Sequence, residues 1–177
     1  KKQLDLLHGF IDLERAGADG WRLELVGGAD AASRDYALAV RREAVGHAVS
    51  VHFNAPRSLV RDTLATAGIF WHGGGFGEDP DLHPERFEHF GIAVVEAMAA
   101  GAVPVVFGAA GPAEIVRHGV DGYHWHTLDE LVSRTRELIA DPARLAAMSA
   151  SAQQRAGEFS GHVFAQRLRL AAAHALR

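Results

Sequence analysis

The chain has 177 residues, 48% of them hydrophobic, so it can bury one sizeable core and is expected to form a single domain, residues 1–177. Its net charge is −4, from 18 Lys and Arg against 22 Asp and Glu, and no run of five basic residues occurs. Nucleic acid and anionic membranes are therefore not expected as electrostatic partners. The absence of cysteine excludes disulfides and thiolate metal sites.

The longest apolar stretch, residues 97–113, is interrupted by Gly101, Pro104 and Gly108, which excludes a membrane-spanning helix there. No signal peptide is recognisable. The default expectation is a cytoplasmic protein.

The first predicted element is an amphipathic helix that ends near Gly17, because Leu6, Leu7, Phe10 and Leu13 fall on one helical face. Strand and helix patterns then alternate, with strands at 21–26, 48–53 and 68–72 and helices at 33–45 and 58–67. This alternation predicts an α/β, Rossmann-like fold, in which helices cover both faces of a parallel sheet.

Residues 72–91 form a long segment rich in glycine, proline, histidine and acidic residues, which indicates a functional loop. The glycines at 73–75 and 77 do not make a phosphate-binding loop, because neither Gly-Lys-Ser/Thr nor Gly-x-Gly-x-x-Gly follows at a strand-to-helix turn. His72, His83 and His89 lack the fixed spacing of a known metal-ligand set, so solvated loop residues are the favoured interpretation.

Apolar residues at helical spacing predict a helix from about Gly91 onwards: Ile92, Val95, Met98 and Ala99. Glu96 then lies roughly 7 Å along the axis from the helix start, while Glu88 lies in the preceding loop. The unpaired N–H groups and partial positive charge of a helix N-terminus favour a phosphate. Carboxylates do not bind phosphate oxygens, so Glu88 and Glu96 are expected to hold hydroxyl groups on either side, as a sugar nucleotide would present them.

Beyond this helix, Val103–Phe107 reads as a buried strand, and the loop 108–111 should lie at the carboxyl edge of the sheet, where ligands bind. Pro112 is expected at the start of the next helix. The remaining predicted elements are a strand at 123–125 and helices at 128–139, 141–148 and 160–176.

An ordered set of motifs spans residues 88–122: Glu88-x-Phe90-Gly91, Glu96-Ala97-Met98-Ala99, Gly101-x-x-Pro104-Val105-Val106, Gly111, Glu114-Ile115-Val116 and Gly119-x-x-Gly122. This set resembles the donor-binding, C-terminal half of the retaining, GT-B-fold group one (family four) glycosyltransferases. The hallmark of that family is a pair of glutamates separated by seven residues. Ala110 departs from the family, which usually has glycine at that position.

The resemblance implies a role for each of several residues. Glu88 would be the catalytic residue that holds the donor sugar, and Glu96 would hold the ribose. Gly91 and Ile92 would act through their backbone N–H groups, whereas Phe90 could contribute recognition or packing. Lys1, with Lys2 as the alternative, would contact the diphosphate, and Arg57 lies where the family reads the base, unless it is only a surface charge.

The activity implied by the resemblance is hexosyl transfer from a nucleoside-diphosphate sugar to an acceptor hydroxyl with retention, without a cofactor or catalytic metal. The acceptor, a glycan, lipid or small molecule, would bind an N-terminal domain of the same polypeptide, which could also make any contact with a membrane. The first strand of the donor domain, which in the family ends in Gly-Arg, would precede Lys1. Two alternatives are a non-catalytic sugar-nucleotide-binding module and a Rossmann-type dinucleotide-binding domain, the latter disfavoured by the absent glycine motif.

Overall fold

The structure, a computed structural model, describes residues 2–175. They contain five strands, β1 (Leu23–Gly27), β2 (Val49–Phe53), β3 (Ile69–His72), β4 (Val103–Phe107) and β5 (Tyr123–Trp125). The eight α-helices of this part of the chain are α1 (Gln3–Arg15), α2 (Arg34–Glu43), α3 (Arg57–Thr66), α4 (Ile92–Ala100), α5 (Ala110–Ile115), α6 (Leu128–Ala140), α7 (Pro142–Gly157) and α8 (Gly161–Ala175). A 3₁₀ turn, Pro84–Arg86, lies in the long loop before α4.

All pairing between the strands is parallel, which confirms the predicted α/β, Rossmann-like class. The strands form two separate sheets: β1 pairs with β2, and β3, β4 and β5 pair in that order. Within residues 2–175, these two halves, each built around one sheet, meet through helices rather than through a hydrogen-bonded strand pair. The carboxyl ends of β1 and β3 nevertheless point to the same edge of the molecule, where the candidate site lies.

Three hydrophobic clusters form the core, and α1 links two of them. Leu7 packs with Leu25 and Val40 beneath β1 and β2. Its neighbour Leu6 packs with Val105 in the cluster around β3, β4 and β5. A third cluster lies between α4, α7 and β4 and contains Val94, Met98, Val106 and Ala152. The first helix therefore holds the two halves together.

The start of α5 and the end of α7 differ from those predicted. The helix expected to start at Pro112 begins at Ala110, which puts Pro112 at its third position. The helix expected to end at Met148 continues to Gly157 as α7, because Ala152 and Ala156 extend its buried face beyond Met148. No helix within residues 2–175 is both long enough and apolar enough to cross a membrane.

Candidate functional site

A cavity of about 980 Å³ opens at the carboxyl edge of the strands. Glu88 and Glu96 both line it, as do Gly91 and Ala93 at the start of α4. The structure therefore brings the two glutamates to one surface, on either side of the α4 N-terminus. The cavity also continues downwards between β1 and β3, so only its upper part corresponds to the predicted site.

The α4 N-terminus has the geometry of an anion site. Gly91 is the N-cap, and its φ of 95° lies in the left-handed region that favours glycine. Its carbonyl accepts hydrogen bonds from the N–H groups of Val94 and Val95. Within residues 2–175, the N–H groups of Ile92 and Ala93 have no acceptor, so they are available to a ligand.

The loop that carries Glu88 is fixed by Gly111. The N–H of Gly111 donates to the carbonyl of Glu88 over 3.0 Å. A Cβ at Gly111 would lie 2.3 Å from the backbone oxygen of His89, which is too close for any other residue. The loop after β4 and the loop before α4 thus pack backbone to backbone, which explains the glycine in this motif.

His72 is a site residue for which the sequence suggested only a discounted metal role. It ends β3 and is 8% exposed. Its Nε2 lies 3.9 Å from Glu88 Oε2, and the Glu88 side chain is 27% exposed. Its position in the sequence could have identified it as a site residue, because the last residue of a parallel strand lies at the edge of the sheet where ligands bind.

Glu96 lies on the exposed side of α4, although its sequence neighbours Val95, Ala97 and Met98 are apolar. The buried face of α4 is formed by Val94, Ala97 and Met98, and the Glu96 side chain is 44% exposed. Arg57 Nη2, at the start of α3, donates to Glu96 Oε1 over 3.4 Å. Arg57, which was predicted near the base, thus lies beside Glu96, which was predicted at the ribose.

The other predicted residues lie at the rim or away from the cavity. Ile92 is 67% exposed, although it belongs to the apolar series that predicted the helix. Phe90 is 47% exposed and packs against Phe159, with ring centroids 5.9 Å apart. Lys1 lies outside the described residues. Lys2, the alternative, donates to Glu78 Oε1 over 2.6 Å.

Glu78 joins the start of the chain to the long loop. Its carboxylate accepts hydrogen bonds from Lys2 and, over 2.8 Å, from Arg86. These two cations lower the pKa of Glu78 to about 2. No local sequence pattern predicts this contact, because Lys2 and Glu78 are 76 positions apart.

No group of three or more His, Asp and Glu residues within 2–175 has the arrangement of a metal site. The polar groups around the α4 N-terminus include two carboxylates, one imidazole and backbone N–H groups. This set suits a ligand with hydroxyl groups and an anionic centre.

Comparison with known proteins assigns the family. The sequence profile described as glycosyl transferases group 1 matches residues 1–155. A Dictyostelium discoideum protein, GDP-Man:Man(3)GlcNAc(2)-PP-Dol alpha-1,2-mannosyltransferase, is 40% identical over 80 residues, which cover 45% of this chain and 16% of that protein.

Solved structures show the same fold. The Anabaena protein HepE, solved in complex with UDP and glucose, superposes with a TM-score of 0.75 at 22% identity, covering 94% of this chain and 44% of that one. The C-terminal domain of LpcC, a group 1 family glycosyl transferase from Francisella tularensis, superposes with a TM-score of 0.69 at 16% identity. The match covers 88% of this chain and 77% of that one. The chain therefore spans under half the length of the longer relatives, and it corresponds to a C-terminal domain of the GT-B fold. It belongs to the group 1 glycosyltransferase family.

Proposed function

We propose that this chain is the donor-binding half of a retaining hexosyltransferase, which transfers a sugar from a nucleoside-diphosphate sugar to an acceptor hydroxyl. The observation that carries the proposal is that Glu88 and Glu96 line one cavity on either side of the α4 N-terminus. The names of the relatives support the donor class, since one is a GDP-Man mannosyltransferase and another was solved with UDP and glucose.

Each part of the donor has a matching group in the site. The N–H groups of Ile92 and Ala93 bind the diphosphate, because they have no acceptor within residues 2–175 and lie at the positive end of the helix. Glu96 accepts hydrogen bonds from the ribose hydroxyls and Glu88 from the sugar hydroxyls. Gly91 permits close approach of the backbone, and Phe90 borders this end of α4.

Cationic groups complete the site. Arg57, which contacts Glu96, serves the base end of the donor. Lys1 serves the diphosphate, because Lys2 is held by Glu78. When the ribose binds, its hydroxyl groups donate hydrogen bonds to Glu96. These bonds replace part of the contact between Arg57 and Glu96.

The chemical step breaks the bond between the anomeric carbon and the diphosphate oxygen and forms a bond from that carbon to the acceptor oxygen. Negative charge develops on the departing diphosphate, so fixed N–H dipoles and a lysine at that position lower the barrier by electrostatic preorganisation. The donor phosphate accepts the acceptor proton, and no protein general base, metal or cofactor is assigned. The acceptor binds the N-terminal domain, so the isolated donor half is expected to be inactive.

Thermal unfolding with UDP, GDP, ADP and NAD, each added separately, tests the donor class. A nucleotide at one hundred times its dissociation constant stabilises the folded chain by about 2.7 kcal/mol. We expect one nucleoside diphosphate to raise the Tm and NAD to have no effect. Stabilisation by NAD alone would refute the proposal in favour of a dinucleotide-binding domain.

Two substitutions test the division of roles between the glutamates. Glu96→Ala should weaken binding of both the nucleoside diphosphate and the sugar nucleotide, because both contain the ribose. Glu88→Ala should weaken only the sugar nucleotide. Glu114→Ala is the matched control, because Glu114 is exposed and lies outside the cavity. Equal losses for both ligands in Glu88→Ala would contradict the assignment.

A further inference from the structure

His72 is a buried imidazole that the proposed donor contacts do not use. It is the last residue of β3, lies opposite Val106 of β4 in the parallel register, and is 8% exposed. Its Nε2 lies 3.9 Å from Oε2 of Glu88. A histidine buried to this extent has little surface for direct contact with a substrate, so its role in the site passes through a neighbouring residue.

The backbone of Gly74 lies against both His72 and Glu88. A Cβ built on Gly74 would lie 2.9 Å from His72 Cε1, 3.3 Å from His72 Nε2 and 3.6 Å from Glu88 Cβ. The first of these distances is shorter than real Cβ atoms show, so a larger residue at position 74 would displace the imidazole. Glycine therefore allows the Nε2 edge of the ring and the base of the Glu88 side chain to contact the same stretch of backbone.

The two neighbouring glycines hold this stretch of backbone in place. A Cβ built on Gly73 would lie 3.3 Å from Leu6 Cδ2 in α1. Gly75 has a φ of 93°, and a Cβ there would lie 2.5 Å from Cδ1 of Phe87, the residue directly before Glu88. The glycine run that matches no phosphate-binding motif thus has a packing role, because it brings the end of β3 close to the Glu88 loop.

The chemistry of this pair suits the orientation of a carboxylate. A distance of 3.9 Å is within ion-pair range but exceeds hydrogen-bond length, so Glu88 must move by about 1 Å to accept a hydrogen bond from His72 Nε2. A carboxylate has about four acceptor positions, so a bond from His72 leaves others for sugar hydroxyls. An imidazole donates from Nε2 as a neutral ring as well as a cation, so it can hold the carboxylate without a permanent buried charge.

We propose that His72 is a positioning residue for Glu88. It donates from Nε2 to Oε2 and fixes the carboxylate in the orientation that accepts hydrogen bonds from the donor sugar. This inference rests on the proposed contact between Glu88 and the sugar. It adds a determinant of sugar binding that lies at the end of β3, outside the glutamate motif.

Binding measurements test the inference through the sugar part of the donor. The probes are UDP, GDP, UDP-glucose and GDP-mannose, and calorimetry gives the dissociation constant of each. His72→Leu should weaken the sugar nucleotide by about tenfold, because a hydrogen bond to a charged group is lost, and should leave the bare nucleoside diphosphate within about twofold. His72→Gln retains an N–H donor and should recover most of the lost affinity. Equal losses for both ligands, or no recovery in His72→Gln, would show a purely structural role and overturn the inference.

A double substitution separates failure of this inference from failure of the proposed function. If His72 acts through Glu88, then His72→Leu should cause no further loss of sugar-nucleotide affinity in a chain that already carries Glu88→Ala. A further tenfold loss there would overturn the inference and leave the role of Glu88 intact. If Glu88→Ala alone does not weaken the sugar nucleotide, the proposed function fails and this inference fails with it.

His52→Leu is the matched control. The Nε2 of His52 also pairs with a glutamate, since it lies 2.9 Å from Glu24 Oε2, but His52 belongs to β2 and does not line the cavity. This variant should leave the ratio of the two dissociation constants, sugar nucleotide to bare nucleotide, at the wild-type value. A change in the ratio as large as that in His72→Leu would show that the effect is not specific to His72 and would overturn the inference.

Gly74→Ala should change the same ratio in the direction of His72→Leu, because the added methyl group displaces the imidazole from Glu88. Gly157→Ala, whose added Cβ would have no atom within 4 Å, should leave the ratio unchanged. A wild-type ratio in Gly74→Ala would contradict the inference.

The tautomer of His72 gives a test that needs neither a ligand nor a core substitution. Heteronuclear NMR of the wild-type chain should show a proton on Nε2 of His72, with the signal assigned by its loss in His72→Gln. Glu88→Gln should shift that signal, because the acceptor has lost its charge. A ring protonated at Nδ1 alone would overturn the inference.

Discussion

At the scale of single residues, Ala110 and Gly111 show two different backbone constraints. Ala110 has a φ of 51°, which is unfavourable for a residue with a Cβ. Gly111 has no room for a Cβ beside His89. The sequence showed that Ala110 departs from the family at this position, and the structure gives the physical consequence, a strained turn directly behind the Glu88 loop.

Ala110→Gly should therefore stabilise the protein. Relief of the left-handed strain outweighs the greater freedom of glycine in the unfolded chain, and the expected gain is about 1 kcal/mol. Chemical denaturation measures it. Ala113→Gly, within α5 at an ordinary φ, is the control and should destabilise by a similar amount. A loss of stability in Ala110→Gly would show that the alanine methyl group contributes packing that exceeds the strain.

At the scale of elements, the loop between β3 and α4 is held to the body of the protein by Glu78. The carboxylate bridges Lys2, at the start of α1, and Arg86, in the 3₁₀ turn of the loop. The same loop ends at Glu88 and Gly91. The ion pairs of Glu78 thus restrict the segment that presents the candidate catalytic glutamate.

Low pH should weaken the ion pairs that hold the loop between β3 and α4 to the rest of the protein. The pKa of Glu78 is about 2 in the folded chain, below the usual 4.5, so its stabilising effect is complete above about pH 4.5 and is lost as the pH falls towards 2. Glu78→Gln should increase amide exchange and proteolysis within residues 73–91 at neutral pH, and the difference from the wild type should shrink below pH 4.5. Glu114→Gln should have no such effect. A constant difference from pH 7 to pH 2 would contradict the role of the charge.

At the scale of the whole molecule, the two sheets have separate cores that share α1. Leu7 is fully buried in the cluster under β1 and β2, and Leu138 is fully buried in the cluster around β3, β4 and β5. The smaller half has two strands, and residues of α1 and α2 cover them. This smaller half is therefore expected to unfold locally at a lower free energy than the larger half.

Leu7→Ala and Leu138→Ala test this order. Each removes a fully buried leucine and should cost about 2–5 kcal/mol. Leu7→Ala should speed amide exchange in β1 and β2 far more than in β4, whereas Leu138→Ala should lower protection in both halves. Hydrogen exchange followed by mass spectrometry resolves the two regions. Equal effects of Leu7→Ala on β2 and β4 would show that the halves unfold together.

The sequence by itself determined the alternation of strands and helices, the parallel α/β class and the positions of Glu88 and Glu96 around a helix N-terminus. These features depend on local periodicity and on glycine and proline positions, which act over a few residues. The motif at residues 88–122 therefore resembles its family on the sequence alone.

Only the tertiary structure decided which groups meet. It pairs Arg57 with Glu96, places His72 beside Glu88 and joins Lys2 to Glu78, contacts between residues 39, 16 and 76 positions apart. It also exposes Ile92 and Glu96, because the side of α4 that faces the core is set by packing against α7 and β4. Such contacts depend on how distant elements are arranged in space, and the local sequence pattern contains no record of that arrangement.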